Sequence, residues 1–188
     1  MLKNNVGKLV IVGDSTVGKT ALLQTFLSSG LEFSEKYNLT MGVVASIKEI
    51  YFANHNDPVI LLFYDCTGLD LYHGTLSKYW KTPDMLLAVY DVSSASSLNH
   101  LNEWIELIKT TKWTKNEVQY PISCAIFANK TDLIERRIIT TEKGKEIAGK
   151  YQMQYFEGSA KTNDGINEIF HWFSEKWHDY SIKVELNY

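Results

Sequence analysis

Gly13-Asp14-Ser15-Thr16-Val17-Gly18-Lys19-Thr20 matches the spacing Gly-x-x-x-x-Gly-Lys-Ser/Thr in full, and no other stretch constrains the fold as tightly. It follows Lys8–Val12, a short apolar run that ends at glycine and reads as a buried strand. It precedes Ala21, Leu22, Phe26 and Leu27, whose helical spacing continues until Gly30. A strand, a glycine loop and a helix in that order set a row of backbone N–H groups at a helix N-terminus. Phosphate oxygens suit such a row, because glycine lets the backbone come close and the helix end carries partial positive charge. Lys19 then reaches the outer phosphates and the Thr20 hydroxyl ligates magnesium, while Ser15, Thr16, Val17, Gly18 and Ala21 complete the cradle. A glycine-rich turn can match by accident, but with average residue usage that is roughly a one-per-cent event in a chain this long. The loop alone does not choose among kinases, ATPases and GTPases.

The rest of the chain predicts the sheet around that loop. Ala45–Phe52 and Val59–Tyr64 flank Asn54-His55-Asn56-Asp57, a cluster typical of a hairpin turn. Met85–Tyr90 and Ile122–Ala128 are unbroken apolar runs, as expected for central strands covered on both faces. Leu98, Leu101, Ile105 and Ile108 keep a helical stripe between them. Glu142–Lys150 predicts a further helix with Thr140 or Thr141 as its cap, and Ile166, Ile169, Phe170, Phe173 and Trp177 share one face of a last helix. Alternating strands and helices imply an α/β, three-layer fold of the P-loop NTPase type. Its sheet is mostly parallel, with about six strands, about five helices on both faces and one antiparallel edge. The 188 residues suit a single domain, with a core at about 6–180 and a short tail at 181–188. Ligands in such sheets bind beyond the carboxyl ends of the strands.

Asn129-Lys130-Thr131-Asp132 stands at one such end, after Ile122–Ala128. A carboxylate at Asp132 can accept from the ring N–H and the exocyclic amine of guanine. Adenine offers no matching donor pair, and a buried carboxylate left unpaired is costly. Asn129 can tie this loop to the phosphate loop, the Lys130 stem can cover the base, and Leu133 is a further candidate contact to the nucleotide. Ser159-Ala160-Lys161 follows the apolar Tyr155-Phe156, and the Ala160 N–H can donate to the guanine oxygen. Taken singly, each is a polar turn. Following the phosphate loop in order, they read as a base-binding set.

Asp65-Cys66-Thr67-Gly68 ends the strand Val59–Tyr64, where an aspartate can hold magnesium and the Gly68 N–H can meet a terminal phosphate. Thr40 lies in the polar stretch Tyr37-Asn38-Leu39-Thr40-Met41-Gly42, and Tyr37 is a further candidate contact to the nucleotide. A threonine there can ligate magnesium only while a third phosphate is present, which builds an order–disorder switch. The metal set is therefore Thr20, Thr40 and Asp65. Phe33 can cover the guanine face, with core packing as the plain alternative.

Composition narrows the function classes. A net charge of −3 argues against a general nucleic-acid binder, and 45% apolar with 22% charged residues is ordinary for a globular protein. Met1–Asn5 lacks the apolar stretch of a secretory signal, and Val184–Tyr188 carries no cysteine for prenylation. The expectation is a cytoplasmic protein without a lipid anchor. Cys66 and Cys124 lie far apart and suit free thiols in a reducing compartment.

From Lys8 to about Trp177 the chain resembles the Ras-like small GTPases (the small G-protein fold), and within them the Rab-like group. The phosphate loop, Thr40, Asp65–Gly68, Asn129–Asp132 and Ser159–Lys161 occur in that family's order and spacing. The resemblance implies GTP/GDP and Mg2+ as cofactors, and the roles given above for Lys19, Thr20, Thr40, Asp65, Asn129 and Asp132. A narrower likeness, to the Rab-like GTPases of intraflagellar transport, rests on several short segments. These are Leu39–Gly42, Tyr79-Trp80-Lys81-Thr82-Pro83, Val89-Tyr90-Asp91-Val92, and Asn129–Leu133 with Arg136-Arg137, together with the missing C-terminal cysteine. That likeness implies a switch or structural subunit of the transport complex, working in the cilium or flagellum and at its base. It also implies a small β-sandwich partner, intraflagellar transport protein twenty-five.

The chain departs from the family in three places. Leu69 occupies the usual glutamine position after Asp65–Gly68, with Asp70 next, so no confident catalytic residue is assigned. Leucine has neither donor nor acceptor to position water, which predicts slow intrinsic hydrolysis. Thr16 stands where Rab loops often have glycine, with a solvent-facing threonine as the plain reading. Tyr64 replaces a tryptophan common in Rab proteins, which weakens any carry-over of Rab effector binding. Two rivals remain. One is a Rab-like vesicle-trafficking GTPase with ordinary hydrolysis; the other is a P-loop phosphotransferase, which the Asn129–Asp132 motif opposes.

Trp172 and Tyr180 lie off the apolar stripe of the last helix, so they either pack laterally or form a partner surface. Trp104 and Trp113 carry the same ambiguity. The five histidines (His55, His73, His100, His171, His178) show no metal-ligand spacing with the cysteines and read as exposed or packing residues.

Overall fold

The computed structural model describes residues 6–34, 38–52, 57–69, 83–110 and 123–186. Tyr37, Asp70, the tip of the expected hairpin turn, Trp80, Trp113, His55 and His73 lie outside them.

The apolar runs become strands because alternate side chains can be buried on opposite faces of one sheet. β1 (Val6–Val12) sends Leu9 and Ile11 into one core and Val10 and Val12 into the other. β2 (Val43–Ile50) and β3 (Val59–Cys66) form the expected antiparallel pair at one edge. β4 (Met85–Asp91), β5 (Ser123–Asn129) and β6 (Gln154–Glu157) complete a six-stranded sheet of order β2-β3-β1-β4-β5-β6. Every pairing except β2 with β3 is parallel. The whole of β4 is buried, as its unbroken apolar run requires.

Among the described residues four α-helices cover the two faces, where about five were expected. α1 (Lys19–Leu27) and α4 (Ile166–Leu186) lie on one side. There Phe26 stacks on Phe170 with ring centroids 4.2 Å apart, beside Phe63 and Trp177. α2 (Ala95–Thr110) and α3 (Thr141–Lys150) lie on the other, where Leu101, Trp104, Ile105 and Ala148 meet Val10, Ala88, Tyr90 and Ile126. Thr140 caps α3, its hydroxyl accepting from the Lys143 N–H at 3.2 Å. α4 continues through Leu186, past the 181 boundary expected for a tail.

For Trp104, Trp172 and Tyr180 the ambiguity resolves as packing. Trp172 lies against Phe156 and Phe173, with centroids at 5.6 and 4.9 Å, and Tyr180 lies 5.6 Å from Trp177. Trp104 is 1% exposed. Cys66 and Cys124 are free thiols; burial pushes Cys66 far above the ordinary range and Cys124 up to about 12.

A polar hub fixes the outer edge at β6. The Glu157 carboxylate accepts from Arg137 at 2.6 Å, from the Tyr155 hydroxyl at 2.7 Å and from Thr141 at 3.0 Å. Burial alone would push this carboxyl up, but the Arg137, Tyr155 and Thr141 donors outweigh it and hold the carboxyl below its ordinary value. A carboxyl held down in the folded chain adds stability above its unfolded pKa and loses it as pH falls through the folded value. Glu157→Gln is therefore expected to flatten the fall in stability below about pH 5, as read by urea titrations at several pH values.

Gly144 sits in the interior of α3, where alanine normally favours a helix. Here a Cβ would lie 2.5 Å from both the Tyr90 hydroxyl and the Tyr155 ring, whereas at Gly149 nothing stands within 4 Å. Gly144→Ala is expected to destabilise by about 1–3 kcal/mol. Gly149→Ala is expected to stabilise by about 0.5–1 kcal/mol. Urea midpoints of the two variants check both signs.

Candidate functional site

The parallel strands end together on one edge of the sheet, and the four sequence motifs follow β1, β3, β5 and β6 there. Two adjoining cavities open on that edge. The first is lined by Ser15, Gly18, Lys19, Thr20, Thr40 and Gly68, and the second by Phe33, Asn129, Lys130, Asp132, Leu133, Ser159, Ala160 and Lys161. Thr16, Gly18, Ala21 and Ser34 line both.

In the first cavity α1 begins inside the loop, so its free N–H groups point into the space. Gly18 takes φ +98°, and a Cβ there would strike the Asn129 amide. Lys19 is 6% exposed, and its ammonium donates to the Gly13 and Asp14 carbonyls at 2.7 and 2.8 Å. Burial lowers its pKa to about 8, against the upward pull of Asp65. An anion in this cavity would remove much of that desolvation cost. Gly68 lies against the same loop: the Ser15 N–H donates to its carbonyl at 3.1 Å, and a Cβ would strike the Ser15 nitrogen.

Thr20, Thr40 and Asp65 meet at the floor. The Thr20 hydroxyl donates to Asp65 Oδ2 at 2.6 Å and lies 2.8 Å from the Thr40 hydroxyl. Each hydroxyl has one proton, so Thr40 must donate to Thr20. Asp65 is 2% exposed, and its Oδ1 has no hydrogen-bond partner among the described residues. Burial raises its pKa against the Thr20 hydrogen bond and the Lys19 charge. Oxygen donors around a buried carboxylate oxygen left without a partner fit a hard divalent ion such as magnesium.

The second cavity is built on Asn129. Its amide donates to the Val17 carbonyl at 2.8 Å and accepts from the Ala160 N–H at 3.1 Å, joining three loops through one buried side chain. Val17 therefore contributes its backbone, since its side chain is 2% exposed in the core. The Ser159 hydroxyl donates to Asp132 Oδ1 at 2.6 Å, which fixes that carboxylate at the cavity wall. Lys130 takes φ +69°, and its ammonium lies 2.6 Å from Asp91 at the end of β4. Burial pushes Asp91 up, but Lys130 and Ser93 outweigh it and hold its pKa low. Phe33 is 38% exposed and lines the cavity, so it is not a core residue.

Sequence reasoning missed four lining residues. Gln24 lies one turn after Thr20 on α1, so helical periodicity could have found it; Ser34, Asn38 and Leu39 carried no signal. It also missed two roles outside the cavities. Asp91 secures Lys130, and His100 bonds the Asp14 carboxylate at 2.8 Å. Thr16 is exposed, as the plain reading expected, but it takes φ +66°, a strained conformation for a β-branched residue. Leu69 donates its N–H to the Thr67 hydroxyl at 3.3 Å.

Known proteins are similar to this chain in sequence. Residues 8–179 match the Ras family model. The chain is 33% identical to the intraflagellar transport protein 27 homolog of Bos taurus over 183 residues, covering 95% of this chain and 94% of that one. The Homo sapiens homolog gives the same identity and coverage, 33%, 95% and 94%. Ras-related protein Rab-3B of Rattus norvegicus is 31% identical over 163 residues, covering 87% of this chain and 70% of its own. A matched domain nearly as long as the chain, together with a phosphate loop and base loop locked by one asparagine, places this protein in the Ras family, as a small guanine-nucleotide-binding GTPase of Rab-like type.

Proposed function

We propose that this GTPase is a guanine-nucleotide switch or structural subunit of the intraflagellar transport complex, with slow intrinsic hydrolysis. The Asn129 bridge carries the nucleotide half of this reading, because it seats the base loop on the phosphate loop. The transport half is supported by the likeness to the intraflagellar transport protein 27 homologs. A small β-sandwich partner, intraflagellar transport protein twenty-five, and a site at the cilium or flagellum and its base belong to the same proposal. Affinity capture of the GTP-loaded chain from ciliated cells, with partners identified by mass, tests it. Transport-complex subunits are the expected catch; vesicle-tethering proteins in their place would favour the rival Rab-like trafficking role that the Rab-3B likeness suggests.

In the nucleotide site, Lys19 and the N–H groups opening α1 hold the phosphates, while Asp132, kept in place by Ser159, reads the base. Thr20, Thr40 and Asp65 would hold magnesium, which neutralises charge on the outer phosphates when bound. Thr40 joins that set from the segment before β2, so its hydroxyl is the natural sensor of a third phosphate.

Three measurements follow from these roles. Asp132→Asn swaps one acceptor for a donor; GTP affinity is expected to fall by about 10³-fold or more, with xanthosine triphosphate binding improved because its carbonyl replaces the guanine amine. Equal GTP affinity in the variant would remove Asp132 from the base site. Single-turnover GTP hydrolysis is expected below about 10⁻⁴ s⁻¹, and Leu69→Gln should raise it. An unassisted rate on the order of 10⁻² s⁻¹ would overturn the slow-hydrolysis reading and favour the trafficking rival. Chelating magnesium should speed GDP release from the wild type and much less from Asp65→Ala.

A further inference from the structure

The phosphate loop is gripped from outside the nucleotide site as well as from within it. Asp14 divides its contacts between two sides. Its backbone carbonyl accepts from Lys19 at 2.8 Å, and a Cβ on Gly68 would strike the same peptide group. Its side chain turns to α2, where Oδ1 accepts from Trp104 Nε1 at 2.9 Å and Oδ2 pairs with His100 Nδ1 at 2.8 Å. A carboxylate accepts only, so Nδ1 carries the proton. His100 and Trp104 are four residues apart on α2, and that spacing brings both donors to one face.

The two grips differ in strength. Trp104 is 1% exposed and locked among Leu101, Ile105 and Tyr90, so its N–H cannot follow a loop that moves away. Its bond to a charged acceptor is of the stronger kind. The His100 side chain is 51% exposed, so solvent screens most of its pair with Asp14. Lys19 thus holds the Gly13 and Asp14 carbonyls from within, while Trp104 and His100 hold the Asp14 side chain from the other face.

We propose that Trp104 and His100 are positioning residues for nucleotide retention: gripping the Asp14 carboxylate from α2, they fix the backbone that seats Lys19 and abuts Gly68. The inference rests on the guanine-nucleotide reading of the site. Its test is the release rate of a fluorescent GDP from the full chain, chased with excess unlabelled GDP. Trp104→Phe keeps an aromatic ring, though a smaller one, and removes the N–H, and Asp14→Ala removes the acceptor. Each is expected to speed release about tenfold, the size of one hydrogen bond to a charged group. The double variant should exceed either single by no more than about twofold, because both delete the same contact. His100→Ala, on the surface and safe for folding, should speed release about two- to threefold, and His100→Asn, which keeps a donor near the Nδ1 position, should restore it. Release within twofold of wild type for both Trp104→Phe and Asp14→Ala overturns the proposal, as do effects that multiply in the double variant. A wild type that holds no labelled GDP overturns the nucleotide reading itself, whereas a wild type that holds it leaves the variants to judge this inference alone.

Discussion

One buried amide fixes the relation between the two halves of the site. Asn129 is 1% exposed, and its side chain meets the Val17 carbonyl on one side and the Ala160 N–H on the other. Neither loop has a strand pairing that would hold it to the other. Truncating Asn129 would orphan two buried backbone groups, each costing about 1–3 kcal/mol. It would also remove the stop against which Gly18 rests, since the amide nitrogen lies where a Cβ at Gly18 would go. Fold and site therefore share one residue: the asparagine at the end of β5 also ties the loop after β1 to the loop after β6.

Two costly charges meet in the same place. A lysine ammonium and an aspartate carboxyl are buried within one site, and desolvation moves both pKa values toward neutral forms. Thr16 and Lys130 add left-handed backbone there, a conformation also taken by Ser29, Gln152 and Asn163 away from the cavities. Buried charges collected at a cavity mark a surface shaped for a ligand rather than for stability alone. The two packed cores beneath, divided by odd and even positions of β1, supply the stability that lets the edge carry this burden.

Much of this was legible because it follows from periodicity and spacing. The apolar runs at Lys8–Val12 and Met85–Tyr90 read as buried strands, and the glycine loop between β1 and α1 follows one rule of backbone chemistry. The invisible parts depend on contacts far apart in sequence. Nothing local to His100 announces that it meets Asp14, 86 positions earlier. The left-handed turn at Thr16 is hinted at by the glycine that Rab loops often carry there, not by threonine itself, which normally avoids it. α4 runs on past Tyr180, where Ser181 is buried and its hydroxyl donates to the Trp177 carbonyl at 2.9 Å, a contact that local sequence does not announce. Phe33, readable as either core or base cover, could be set apart from the core only once its exposure was known.

On the proposed reading, recognition and rate arise from different loops. The helix end at α1, the Asn129 bridge and the Asp132 carboxylate would supply affinity, and none of these contacts involves position 69. A leucine there has no group to orient water, yet it disturbs none of those contacts, and its own N–H is held by Thr67. Leucine at that one position would then lower turnover while leaving the nucleotide contacts intact. That combination suits the proposed role of holding an assembled surface rather than cycling quickly.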